Sequence, residues 1–150
     1  MKILFVTSKS LGGSGKYIEV LADGLRSKGV ECDLLYYPLG VDQDSHIESV
    51  FRKVYHFDFE PSFSPFRAIA NLNRVISIIE NEQYDWVHSH TSMGGFYGRI
   101  GHSLSKTQSK MAHTLHAFGA DEFTPIPQKW IFWVVERALD LITDVYFCPS

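Results

Sequence analysis

Lys2-Ile3-Leu4-Phe5-Val6-Thr7-Ser8-Lys9-Ser10-Leu11-Gly12-Gly13-Ser14-Gly15-Lys16 follows the initial methionine, and its reading decides the fold. Residues 3–6 form an unbroken apolar run, the mark of a strand buried on both faces. A loop over residues 8–13 holds two adjacent glycines. A helical pattern begins near Ser14: Ile18, Leu21, Ala22 and Leu25 are spaced three and four apart, and Gly29 stops it. Residues 30–37 then read as a second strand closed by Pro38-Leu39-Gly40. This is a βαβ unit of a little over 30 residues, about the usual length.

The pattern repeats along the chain. Residues 54–59 alternate apolar and polar as a third strand. A helix over about 65–81 carries Ile69, Leu72, Val75, Ile76 and Ile79 on one face. Trp86-Val87-His88 is a fourth strand, residues 94–104 a small-residue helix, residues 111–115 a fifth strand. Residues 127–140 form a last helix, with proline in its first turn, and residues 145–148 a sixth strand. Strands alternating with helices predict an α/β, doubly wound, Rossmann-like parallel sheet as a single domain over 1–150. A strand two residues from the final position, with no helix after it, suggests a truncated piece of a longer protein.

Composition excludes several classes. The 150 residues are 45% apolar and 21% charged, an ordinary globular balance. The net charge is −3 and no basic cluster occurs, so no nucleic-acid partner is expected. Cys32, in the second expected strand, and Cys148, at the end of an apolar run, read as two buried thiols in a reducing compartment. The longest apolar run, residues 130–135, is far short of the ~20 needed to span a bilayer. A cytoplasmic protein is expected, with peripheral membrane contact left open. Trp130, Phe132 and Trp133 read first as core packing and a domain-docking surface, and alternatively as a membrane-facing surface.

Ligands of such sheets bind beyond the carboxyl ends of the strands, where the strand order reverses. With the order 3-2-1-4-5-6, the loops over residues 8–15, 89–95 and 116–121 line one crevice. The first is no P-loop: Ser10 and Tyr17 stand where glycine and Ser/Thr are required. Nor is it a nicotinamide fingerprint, since Ile18 replaces the third glycine and Tyr36-Tyr37-Pro38 offers no acid. A glycine turn feeding a helix N-terminus remains. It is either an anion site, favoured by free N–H groups and the helix dipole, or a plain tight turn. His88 and His90 share a strand face, but a metal needs further ligands and none is expected. His88 reads as a core histidine and His90 as entering the crevice. His116 is either a hydrogen-bond donor to a ligand or a structural cap. Asp121-Glu122 reads as an exposed acidic pair, and less readily as a catalytic base.

Lys2-Ile3-Leu4-Phe5-Val6 with Gly12-Gly13, Tyr84-Asp85-Trp86-Val87-His88-Ser89-His90, Gly94-Gly95-Phe96-Tyr97-Gly98-Arg99, Thr114-Leu115-His116-Ala117-Phe118, and Glu136-Arg137 through Thr143-Asp144 to Pro149-Ser150 occur in this order. Together they resemble the N-terminal half of family-4 glycosyltransferases, retaining enzymes of the GT-B fold that use no metal. The resemblance implies roles. Gly12, Gly13 and Ser14 would approach the donor diphosphate. His116 would be the active-site histidine near the donor sugar, although Ala117 stands where the family usually has glycine. His90, Thr91, Ser92 and Gly94 would line the acceptor crevice. A C-terminal half would hold the nucleotide sugar with a pair of glutamates, and residues 1–150 alone would be inactive. The activity implied is hexosyl or N-acetylhexosaminyl transfer with retention, from a nucleotide sugar to a lipid-linked or oligosaccharide acceptor. The bacterial surface-polysaccharide branch is the most similar, which implies a cytoplasmic protein and leaves open a place at the inner face of the membrane. No cofactor is implied. A GT-B-fold nucleotide-sugar epimerase and a non-catalytic, flavodoxin-like anion-binding module are the alternatives.

Overall fold

A computed structural model describes residues 1–8, 13–38, 47–57, 65–116 and 125–148. Its strands are β1 (Lys2–Thr7), β2 (Glu31–Tyr36), β3 (Val54–His56), β4 (Trp86–His90), β5 (Lys110–Thr114) and β6 (Val145–Phe147). Its helices are α1 (Gly13–Arg26), α2 (Pro65–Glu82), α3 (Ser92–Leu104) and α4 (Ile126–Asp140). The strands form one sheet in the order β3-β2-β1-β4-β5-β6, every neighbour parallel. The expected order is therefore the observed one, and the reversal lies between β1 and β4.

Successive residues of a strand point to opposite faces, and two cores result. Leu4, Val6, Leu35, Val87 and Met111 meet Val75 and Ile79 of α2 and Tyr97 of α3. On the other face Ile3, Phe5, Cys32, Leu34 and Tyr36 meet Ile18 and Ala22 of α1 together with Ile47, Val50 and Phe51.

Several boundaries differ from the sequence reading. β4 extends two residues further, because polar Ser89 and His90 pair in register with His113 and Thr114 of β5. Helix α3 begins at Ser92 rather than Gly94. β3 is only three residues long, and residues 58 and 59 of its expected span lie outside the described ones. Cys32 is buried, but Cys148 is exposed, which corrects the expectation of two buried thiols. Trp130 and Trp133 are 62% and 50% exposed in a run, residues 130–134, that is exposed throughout. The core reading of that stripe fails because α4 turns only Leu139 fully inward.

Gly94 sets the approach of α3 to the sheet. A Cβ there would lie 2.8 Å from the Thr7 Cα and 2.9 Å from the Val6 carbonyl oxygen. No rotamer change relieves a backbone contact of that kind, so only glycine lets the start of α3 sit against the end of β1.

Candidate functional site

The carboxyl ends of β1, β4 and β5 come together with the first turns of α1 and α3. Ser8 follows β1 and Thr91 follows β4. The Ser8 N–H donates to Thr91 Oγ1 at 3.2 Å, and the two hydroxyls are 2.7 Å apart. Thr91 has φ +62° and ψ 163°, a conformation costly for a β-branched residue. Its hydroxyl is spent on Ser8 rather than on capping α3. The positive end of the α3 dipole thus opens on the same edge as Gly13, the first residue of α1.

Behind this edge stands a column of imidazoles. His88 Nε2 is 2.7 Å from Thr114 Oγ1. The His88 and His90 rings are 4.2 Å apart, and His90 stacks on Phe5 at 5.8 Å with 17° between planes. His90 Nδ1 is 3.1 Å from His116 Nε2, and Tyr17 of α1 meets His116 edge-on at 5.1 Å. Burial, with like-charge repulsion between the rings, pushes His88 down to about 4 and His90 well below the usual histidine range. His116 is lowered by burial alone. The column is neutral at physiological pH and meets a ligand as hydrogen-bonding groups rather than as cations.

Sequence reasoning placed Gly13, Ser14, Thr91, Ser92 and His116 around one edge, and the structure puts them there. Gly12 and Asp121-Glu122 lie outside the described residues. His90 was expected in the crevice, but it is fully buried behind His116. Gly94 is buried against residues 6–8 and shapes the crevice from beneath. Two features went unread. Tyr17, dismissed as a P-loop mismatch, packs on His116. Arg99 is fully buried, with Nη2 2.9 Å from both Glu136 oxygens, Nη1 3.0 Å from the Tyr146 hydroxyl and Nε 3.0 Å from the Gly95 carbonyl. The arginine's place on the inward face of a glycine-rich helix was the available signal. Burial also pushes His113, which is bonded to Ser89, down to about 3.

Among the described residues no group of three or more His, Cys, Asp or Glu is arranged to hold a metal ion. No described helix is long and apolar enough to cross a membrane.

A six-stranded parallel sheet of this order, with two helix N-termini and a histidine edge at its switch point, is a Rossmann-like domain and fits the N-terminal domain of the GT-B class. The model of Glycosyltransferase Family 4 matches residues 11–150, and the chain belongs to that family. MurG of Acinetobacter baumannii is similar at TM-score 0.71 and 12% identity, over 98% of this chain and 40% of that one. HepE of Anabaena, solved in complex with UDP and glucose, is similar at TM-score 0.71 and 17% identity, over 97% of this chain and 37% of that one. A putative UDP-N-acetylglucosamine 2-epimerase of Listeria monocytogenes follows at TM-score 0.63 and 16% identity, over 99% and 38%. The chain thus spans about two fifths of the solved proteins it resembles. No significant match was found among curated proteins.

Proposed function

We propose that this domain forms the acceptor side of a retaining glycosyltransferase that moves a hexosyl or N-acetylhexosaminyl group from a nucleotide sugar to a lipid-linked glycan in cell-surface polysaccharide synthesis. The observation that carries the reading is the convergence of the α1 and α3 N-termini with neutral His116 on one sheet edge.

In this reading the Gly12-Gly13-Ser14 turn meets the donor diphosphate. Helix N-termini favour an anion through unpaired N–H groups and the macrodipole. These fixed dipoles stabilise the charge that grows on the leaving diphosphate, and the donor phosphate itself helps to deprotonate the acceptor hydroxyl. His116 donates a hydrogen bond to a donor-sugar hydroxyl and holds the ring for departure. Thr91 and Ser92 face the acceptor, and the exposed run of α4 rests at the lipid surface from which a lipid-linked acceptor presents its sugar. A second half of the protein supplies the nucleotide contacts.

The family match and the UDP bound by the Anabaena relative support the donor class. The test is incubation of the full-length gene product with nucleotide sugars and a synthetic polyprenyl-diphosphate-linked acceptor. A glycosylated lipid whose new linkage keeps the donor's anomeric configuration is the expected product. Epimerisation of the donor without acceptor would overturn the reading in favour of an epimerase, and an inverted linkage would overturn retention.

A further inference from the structure

His90 has no place in the chemistry above, yet the sheet buries it completely and directs it at His116. Its two ring nitrogens differ sharply. Nδ1 is 3.1 Å from His116 Nε2, whereas Nε2 is buried with no hydrogen-bond partner among the described residues. A neutral imidazole carries one proton, on one nitrogen or the other. With the proton on Nε2, a buried N–H would be orphaned, which native structures rarely tolerate. With the proton on Nδ1, that N–H is paired and only a bare lone pair is left without a partner. The second arrangement costs less. It also dictates the state of the neighbour: His116 Nε2 must accept, so a neutral His116 carries its proton on Nδ1. Among the described residues His116 Nδ1 has no partner.

We propose that His90 is a positioning residue that fixes His116 in the Nδ1–H tautomer and holds its ring in place, so that Nδ1 offers a donor to a ligand oxygen at the crevice. The surroundings keep His90 from turning over to break this bond. Phe5 lies on its ring at 5.8 Å, His88 at 4.2 Å, and Tyr17 buttresses both His90 and His116 at 6.1 and 5.1 Å. A histidine whose tautomer is set by the bond on its other nitrogen is a recurring device where imidazole must donate or accept in one sense. The catalytic consequence rests on the role given to His116 above. The tautomer does not.

The test is nitrogen-15 NMR of the imidazoles in the protein at pH 7.5, alongside His90→Phe and His90→Asn. Phenylalanine keeps the stacking but removes the bond. Asparagine places an amide N–H near the position of Nδ1. The expected result is His116 with a protonated Nδ1 and an unprotonated Nε2. In His90→Phe this preference collapses, and His90→Asn restores it. An Nε2–H tautomer in the parent protein, or an unchanged His116 in a folded His90→Phe, overturns the proposal. Should His90→Phe not fold, the parent tautomer and the asparagine variant still decide. Transfer kinetics separate the two readings. If His116 acts on the donor, His90→Phe lowers kcat by at least tenfold with little change in KM, and His90→Asn recovers much of it. A tautomer that responds as expected while His116→Ala leaves kcat intact upholds the positioning and removes the catalytic role.

Discussion

Lowering the pH from 7 to 5 tests the neutral histidine column directly. His88 and His113 hold protons in the folded state only below about 4 and about 3, against 6.5 for an ordinary histidine. Between pH 6.5 and 4 the unfolded chain therefore binds protons that the folded chain refuses, and stability falls as the pH falls. At pH 5 an unfolded histidine gains about 2 kcal/mol from its proton, so these two residues alone remove about 4 kcal/mol relative to neutral pH. His90, shifted in the same direction, adds to the loss. Three such groups give a limiting slope of about 4 kcal/mol per pH unit. Domains are stable by only about 5–15 kcal/mol, so the domain nears unfolding at pH 5. The carboxylate most depressed among the described residues, Glu82 at about 2, loses its contribution only below about 4.5 and leaves this window clear. Urea unfolding followed by tryptophan fluorescence at half-unit steps from pH 7.5 to 5 measures the slope. His88→Phe lowers stability at neutral pH, because Thr114 loses its partner, and it reduces the slope by about one proton, so the deficit narrows as the pH falls. An unfolding free energy that is flat between pH 7 and 5 would refute the buried-neutral assignment.

His116→Ala is expected to cut kcat for transfer about 10²-fold, with a modest fall in melting temperature because buried His90 loses its hydrogen-bond partner; kinetics and thermal unfolding on one preparation check it. Arg99→Met strands the Glu136 carboxylate, and loss of one member of a buried pair costs about 3 kcal/mol, read as a lower urea midpoint. Glu136→Gln, on the more accessible partner, costs less in the same assay. Gly94→Ala forces α3 off the end of β1, destabilises by about 1–3 kcal/mol and lengthens the Ser8–Thr91 contact in a crystal structure.

The architecture was legible because its signals are local. The 3.6-residue spacing of Ile18, Ala22 and Leu25 and the unbroken run of residues 3–6 each need only one element to be read. The strand order is the common one for a doubly wound sheet, assumed from the sequence and present in the structure. What stayed hidden depends on pairs distant in sequence. Ser89 and His90 look like loop residues until β5 supplies partners 24 residues later. The burial of His90 arises because Phe5, Tyr17 and His116 close on it from three other elements. Arg99 looks like a surface charge until Glu136 and Tyr146, 37 and 47 residues away, neutralise and bond it. The aromatic run of α4 was misassigned for the converse reason. Apolar residues foretell burial only where a partner surface exists, and none of the described elements covers residues 130–134.

The anchoring of α4 has a mechanical consequence. The helix is fixed at its far end, where Leu139 is buried, Glu136 grips Arg99 and Asp140 meets the Tyr146 hydroxyl. Its aromatic half, with Trp130 and Trp133 at least half exposed, is held less tightly. An apolar footing lets a helix roll, because such packing has no preferred direction, whereas a guanidinium bonded at once to Glu136, the Tyr146 hydroxyl and the Gly95 carbonyl holds an angle as well as a distance. The aim of Trp130 and Trp133 is thus set by a bond on the next turn of the helix and beyond, through a fork that lysine cannot reproduce. Arg99→Lys keeps the charge and loosens the lever, so the tryptophans keep their exposure while their fluorescence anisotropy falls.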